Sequence, residues 1–197
     1  MSGAALSLAV VHRTHEGLLA GRVGDDAFLG IPAADGALRV AYGSGIAKEQ
    51  ELWARGDFYS VGRLVEGEAG FRAYVEEQAE HRRQLAALQR VEFRSSTQTP
   101  WGRADFSYRY AEGVISHSTP SHGGFQLDAA RNALVHPAYR NLDGWYEEDS
   151  QWAKIAAMFP DLFTSFERRC ADATLRNSEP DAFEGYAASL SLPENCM

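Results

Sequence analysis

Two short stretches of this chain hold side chains that do chemistry. The first is Ser116-His-Ser-Thr-Pro-Ser-His-Gly-Gly124, in which two histidines, three serines and a threonine share nine positions. Imidazole changes charge near neutral pH and serves as base, acid or metal ligand, and a hydroxyl within its reach becomes a nucleophile. Gly123 and Gly124 free the backbone to take positive φ and to approach a ligand closely. Successive N–H groups in such a turn bind an anion, so the pair is a candidate anion nest. A plainer reading is a glycine turn into the next element, flanked by solvated serines. The second stretch is Trp145-Tyr-Glu-Glu-Asp-Ser150. Three acids at a helix start suit the macrodipole and need no further purpose. Held against Trp145 and Tyr146, however, a carboxylate is pushed toward its neutral form and can act as a general acid or base.

Taken together, the stretches define one expected pocket. In it His122 pairs with Glu147, Glu148 or Asp149 as acid and base, with Ser121 as the nucleophile. A metal-binding alternative joins His117 and His122 to one carboxylate. Two histidines five residues apart have no specific zinc spacing, and no metal or cofactor is assigned. The chain has no GxSxG elbow, P-loop, HExxH or dinucleotide fingerprint.

The elements that must position these residues read as α+β. Short β-friendly runs separated by turn signals cover Leu6–His12, Leu18–Val23, Ala27–Ile31 and Leu38–Tyr42, and the brief connections make them an antiparallel meander. A short helix is expected over Ile46–Arg55, then a strand or irregular bridge over Phe58–Val65. Apolar residues at helical spacing from Glu68 to about Val91, Phe71, Tyr74, Val75 and Ala79 among them, predict a long amphipathic helix with Arg82 and Arg83 on its solvated face. Phe93–Thr99 reads as a polar bridge, which divides the chain into residues 1–95 and 96–197. Beyond it come a β-hairpin, Gly102–Tyr110 and Val114–Ser118, a helix capped by Asp128, a helix over Tyr146–Met158, another from Pro160, and a last one over Ala182–Ser189. Trp101 is expected to anchor the C-terminal core.

Composition bounds the function. With 45% apolar and 23% charged residues the chain is globular rather than disordered. Its net charge is −8, and the acidity is uneven: residues 1–100 carry 13 acidic and 11 basic groups, residues 101–197 carry 14 and 8. Such a surface repels phosphate backbones, so direct nucleic-acid binding is not expected. Cys170 and Cys196 form neither a CxxC pair nor a disulfide framework, which favours a reducing compartment, and Cys196 sits in a tail expected to fray. The apolar run near the N-terminus lacks a basic flank and is too short for a bilayer, so the expectation is a cytoplasmic protein with no membrane partner.

Four motifs in order, Thr99-Pro-Trp-Gly102, Tyr110-Ala-Glu-Gly113, Ser121-His-Gly-Gly124 and Trp145-Tyr-Glu-Glu-Asp149, resemble an uncharacterised C-terminal domain of proteobacterial plasmids, integrative elements and phages. The resemblance covers roughly residues 97–180 and implies context rather than activity: an accessory protein of a mobile element, with a role against host defence of the anti-restriction or anti-CRISPR kind. Two functions follow as expectations. One is an acidic binding protein that inhibits a host protein or nucleoprotein complex, its charge complementing a basic groove. The other is a small hydrolase or transferase using His122 with an acid from Glu147 to Asp149. Convergence of His122 and Glu148 in a concavity favours the enzyme, and a flat surface bordered by acids favours the inhibitor.

Overall fold

The structure, a computed structural model, describes residues 9–190. The start of the expected first strand, residues 6–8, and the tail with Cys196 lie outside the described residues. The chain divides into two compact units between Ala86 and Ala87.

In the first unit the meander forms five antiparallel strands in sequence order: β1 (Val10–Arg13), β2 (Leu19–Val23), β3 (Asp26–Pro32), β4 (Leu38–Ser44) and β5 (Ser60–Val65). Helix α1 (Gly67–Ala87) crosses one face. Phe71, Val75 and Ala79, four residues apart and fully buried, pack on Leu19, Val23, Phe28 and Val40, as the helical spacing requires. The approach is close. A Cβ on Gly21 would stand 2.5 Å from a Val75 methyl, so glycine is what lets helix and sheet meet there. Arg82 is not merely solvated, since it donates to the Val23 carbonyl at 2.6 Å and to Asp26 at 3.2 Å.

The expected helix over Ile46–Arg55 does not form. The segment makes two 3-10 turns, Gln50–Leu52 and Arg55–Asp57, because a single deep anchor sets its path. Trp53 is buried with Ala20, Leu29, Ala41 and Phe58 on the second face of the sheet, and its indole N–H donates to the Lys48 carbonyl at 3.0 Å. Lys48 reaches Asp57 at 2.6 Å, and Asp57 accepts the Ala54 N–H at 3.0 Å.

In the second unit β6 (Val91–Arg94), β9 (Phe106–Ala111), β10 (Val114–Ser118), β11 (Gly123–Leu127) and β12 (Trp145–Glu147) form an antiparallel sheet in the order β12-β11-β10-β9-β6, and β7 (Gln98–Thr99) and β8 (Gly102–Arg103) make a separate small hairpin. The stretch read as a polar bridge, Phe93–Thr99, therefore holds the end of β6 and all of β7. Of the hairpin expected over Gly102–Tyr110 and Val114–Ser118, β9 and β10 form the middle of this sheet, while Gly102 and Arg103 belong to β8. Helices α2 (Ala129–Leu134), α3 (Trp152–Met158), α4 (Ser165–Ser178) and α5 (Pro180–Leu190) complete the unit. Asp128 caps α2 as expected, accepting the Arg131 N–H at 2.7 Å. The core joins Val114, Phe125, Leu127 and Tyr146 of the sheet to Ile155, Phe163, Ala171 and Leu175.

Two helix starts move from where the sequence places them. The helix expected from Tyr146 begins at Trp152, because alternation at Trp145, Tyr146 and Glu147 satisfies an edge strand on β11. Pro160 opens only a 3-10 turn, Pro160–Leu162, and α4 starts after Thr164, whose side chain and Glu167 form a capping box. Glu167 also holds Arg90, which makes two bonds to its carboxylate at 2.8 and 2.7 Å and a third to the Leu162 carbonyl at 2.7 Å. The guanidinium stacks 4.1 Å from the Tyr110 ring, a planar, bidentate arrangement that lysine could not reproduce.

The chain is thus α+β: an antiparallel meander with a long amphipathic helix, then a sheet packed by several helices. Among the described residues no helix is long and apolar enough to cross a membrane. The Gly21–Val75 contact yields a test. Gly21→Val should lower stability by about 1–3 kcal/mol through overpacking, and combining it with Val75→Ala should cost less than the two single changes together. Urea unfolding followed on the backbone amide resonances of β2 and β3 measures both.

Candidate functional site

Side chains of residues paired directly across antiparallel strands share a face. In the second sheet, Ser107 pairs with His117, His117 with Gly124, and Gly124 with Glu147. These four therefore form one row, on the face opposite Val114, Phe125 and Tyr146 of the helix-covered core. Gln126 and Trp145, paired with each other, lie two residues along on the same face.

Gly123 and Gly124 are strand residues without positive φ, so they make no left-handed turn. An extended strand points successive N–H groups to opposite sides, and the expected anion nest is replaced by a packing site. A Cβ on Gly124 would stand 2.3 Å from the Trp101 ring and 2.3 Å from the Tyr146 carbonyl oxygen. Trp101 thus sits on the bare backbone of β11. It is half-buried on this outer face and also packs against Trp145, centroids 5.8 Å apart and planes at 84°, an edge-to-face contact. The turn that carries it is tied by Thr99, whose hydroxyl donates to the Gly102 carbonyl at 2.7 Å and accepts the Trp101 N–H at 3.1 Å. Trp101 is accordingly not the core anchor that its sequence context indicates.

His117 is buried, and both ring nitrogens are engaged: Nδ1 with Ser107 Oγ at 2.7 Å and Nε2 with Gln126 Oε1 at 3.1 Å. An amide oxygen only accepts, so Nε2 carries the proton and Nδ1 accepts from the serine. Burial lowers the pKa of the imidazole below its ordinary value, with the Gln126 bond opposing in part. The ring is held neutral, and no nitrogen is left for a metal ion. Ser107 has no exposed surface, which separates this serine–histidine pair from any substrate.

The residues expected to form the catalytic pocket are not joined. Ser121 and His122 are exposed, and the turn is closed by Thr119, whose N–H and hydroxyl donate to the His122 carbonyl at 2.8 and 2.7 Å. Among the described residues no hydrogen bond or ion pair links His122 to Glu147, Glu148 or Asp149. The strand pleat also divides the acids. Glu147 lies in the outer row beside Gly124, where its Oε2 accepts the Ser150 N–H at 3.3 Å. Glu148 extends the pairing on the other side: its N–H donates to the Gly123 carbonyl at 3.1 Å, and its carboxylate crowds the space a Gly123 side chain would need. Asp149 is exposed. None of the three caps α3, whose N-cap is Gln151.

What the outer face does build is a shallow groove of about 630 Å³, bounded by Pro100 and Trp101, by Trp145, Glu147 and Gln151, and by the loop from Arg140 to Asp143. The loop is rigidly held. Asn141 donates through its amide to the Trp145 carbonyl at 2.6 Å and to Gln151 Oε1 at 2.9 Å, and its backbone N–H donates to the Tyr146 hydroxyl at 3.1 Å. That hydroxyl in turn donates to Asn132 at 2.6 Å. Gly144, at φ 74°, closes the loop where a Cβ would meet the Leu127 carbonyl at 2.7 Å. At the tip of this fixed loop Leu142 is 98% exposed.

The sequence indicates Trp145 and Glu147 but not Asn141, Leu142 or Gln151, which carry no motif of their own. The one available signal is that Leu142 is the lone apolar residue in the otherwise polar Asn141-Leu-Asp-Gly144 loop. Residues 94–196, just over half of the chain, match the model of a family described as a domain of unknown function, DUF7007. No curated protein and no solved structure matches the chain.

Two measurements test this geometry. Gly124→Ala should cost about 1–3 kcal/mol, because the added methyl meets backbone as well as the Trp101 ring. The loss should appear in urea unfolding together with a changed tryptophan emission, whereas a glycine serving only a turn would leave the emission unchanged. For His117 the sign follows from its lowered folded-state pKa. As pH falls below about 6.5 the unfolded chain takes up a proton that the folded one resists, so stability falls. Between pH 7 and 5 the wild-type chain should lose more stability than His117→Gln, the other histidines being common to both.

Proposed function

The chain belongs to the DUF7007 family, and we propose that its family domain is a binding module that docks on a host protein or nucleoprotein complex through the face carrying Trp101 and Trp145. The observation behind this reading is Leu142. A leucine exposed over 98% of its surface, on a loop locked by Asn141 and Gly144, is held ready for a contact rather than left there by a mobile segment. Apolar side chains fixed at the rim of an aromatic groove are a usual feature of protein interfaces. Among the described residues no hydrogen bond or ion pair joins His122 to Glu147, Glu148 or Asp149, which favours binding over hydrolysis or group transfer, since acid–base work needs the two within hydrogen-bond reach. The mobile-element context implied by the motifs gives the partner a class, a defence or nucleic-acid-processing complex that the protein inhibits. The excess of acidic groups in residues 101–197 suits a partner surface built for nucleic acid.

The test is capture from a proteobacterial lysate with three baits. Wild type and His122→Ala should retain the same stoichiometric complex, while Leu142→Asp should lose at least about tenfold of it, the cost of one charged group in an apolar contact. Leu142 is so exposed that its replacement leaves the fold intact. Equal retention by all three baits, or loss in His122→Ala alone, overturns the docking face.

A further inference from the structure

The charges around the groove are unevenly committed. Arg140, its basic lining residue, is pinned: Nε donates to the Val135 carbonyl at 2.9 Å, and Nη2 donates to the Ala133 and Val135 carbonyls at 2.7 and 2.6 Å. The two acids are only half used. Asp143 Oδ1 accepts the Trp145 N–H at 3.1 Å, and Glu147 Oε2 accepts the Ser150 N–H. The second oxygen of each makes no hydrogen bond among the described residues. The same groove is lined by two half-buried indoles at right angles. Aromatic faces attract cations, most strongly the planar guanidinium, which stacks while it donates to carboxylates.

Resting on the binding reading above, we infer that this groove receives a cationic side chain, arginine by preference, from a basic polypeptide segment of the partner, with Trp101 and Trp145 as the stacking surface and Asp143 and Glu147 as counter-ions. The apolar flank of such a segment lies on Leu142. Charge complementarity argues for this occupant over a nucleic acid, because the free groups of the groove are anionic and a phosphate backbone would face them directly. A sugar would satisfy the polar groups but would leave Leu142 with no apolar partner.

The experiment is a titration of the full ¹⁵N-labelled chain, read at the four tryptophan indole N–H signals. The probes are the tripeptide amides N-acetyl-Leu-Arg-Leu and N-acetyl-Leu-citrulline-Leu, the second being a neutral isostere of the first. The arginine peptide should shift the Trp101 and Trp145 signals and leave Trp53 unmoved, and the citrulline peptide should bind at least about tenfold more weakly. The double variant Asp143→Asn/Glu147→Gln keeps both backbone acceptors, so it should fold normally and lose a similar factor for the arginine peptide. Equal binding of the two peptides, no response of Trp101 and Trp145 at millimolar arginine peptide, or a stronger response to a thymidine dodecanucleotide overturns the inference. If the cation chemistry fails while Leu142→Asp still releases the captured complex, the docking face stands and only its ligand is wrong. Failure of both removes the binding reading as well.

Discussion

The outer face of the second unit depends on one steric fact: Trp101 rests on the backbone of β11 because residue 124 has no side chain. Both close neighbours of the missing Cβ are rigid, one a ring and the other the Tyr146 carbonyl, so the arrangement admits no compromise. With Trp101 seated, Trp145 gains an edge-to-face partner and one wall of the groove is set. The three motifs Thr99–Gly102, Ser121–Gly124 and Trp145–Asp149 are in this sense one device. The first delivers the indole, the second clears the space, and the third supplies the surface it meets.

Beneath this contact lies a polar row that is structural rather than reactive. Ser107 and His117 are buried and, with the partly exposed Gln126, satisfy one another, and a neutral imidazole is the form that suits such a place. The opposite edge of the groove follows the same logic with different groups. Tyr146 is wholly buried, yet its hydroxyl reaches Asn132 and receives the Asn141 N–H, so a core residue fixes the loop that holds Leu142 outward. In the proposed docking face, a loop held in this way would reduce the ordering cost of association.

A binding role fits both the local geometry and the charge of the molecule. Two acids, Asp143 and Glu147, outnumber the one base of the groove, Arg140, whose Nε and Nη2 are bonded to backbone carbonyls. Two of the remaining residues around it, Trp101 and Trp145, are of the aromatic type enriched at interface centres. In the proposed complex, long-range attraction from the acidic half would act on encounter and short-range stacking at the tryptophans on residence.

Much of the architecture was legible in the residues themselves. Periods of two and of 3.6 with short connections identified the meander, helix α1 and the hairpin β9–β10, because these patterns follow from local geometry and burial of one face. The sequence also marked the histidine–glycine and tryptophan–acid stretches as special, and they do lie together. Their roles were decided by tertiary structure. Whether paired glycines bend or accept a ring depends on what packs above them, and Trp101 arrives from a turn more than twenty residues away. Whether adjacent acids share a site depends on strand or helix: as an edge strand the pleat sends Glu147 and Glu148 to opposite faces, which a helical reading of Tyr146–Met158 could not foresee. The path of residues 46–58 was likewise hidden, since Trp53 finds its burial against a sheet face that exists only once the five strands have assembled. Composition and spacing determine which segments become helix or strand, whereas contacts between segments distant in sequence determine what the glycines, acids and histidines of this chain are for.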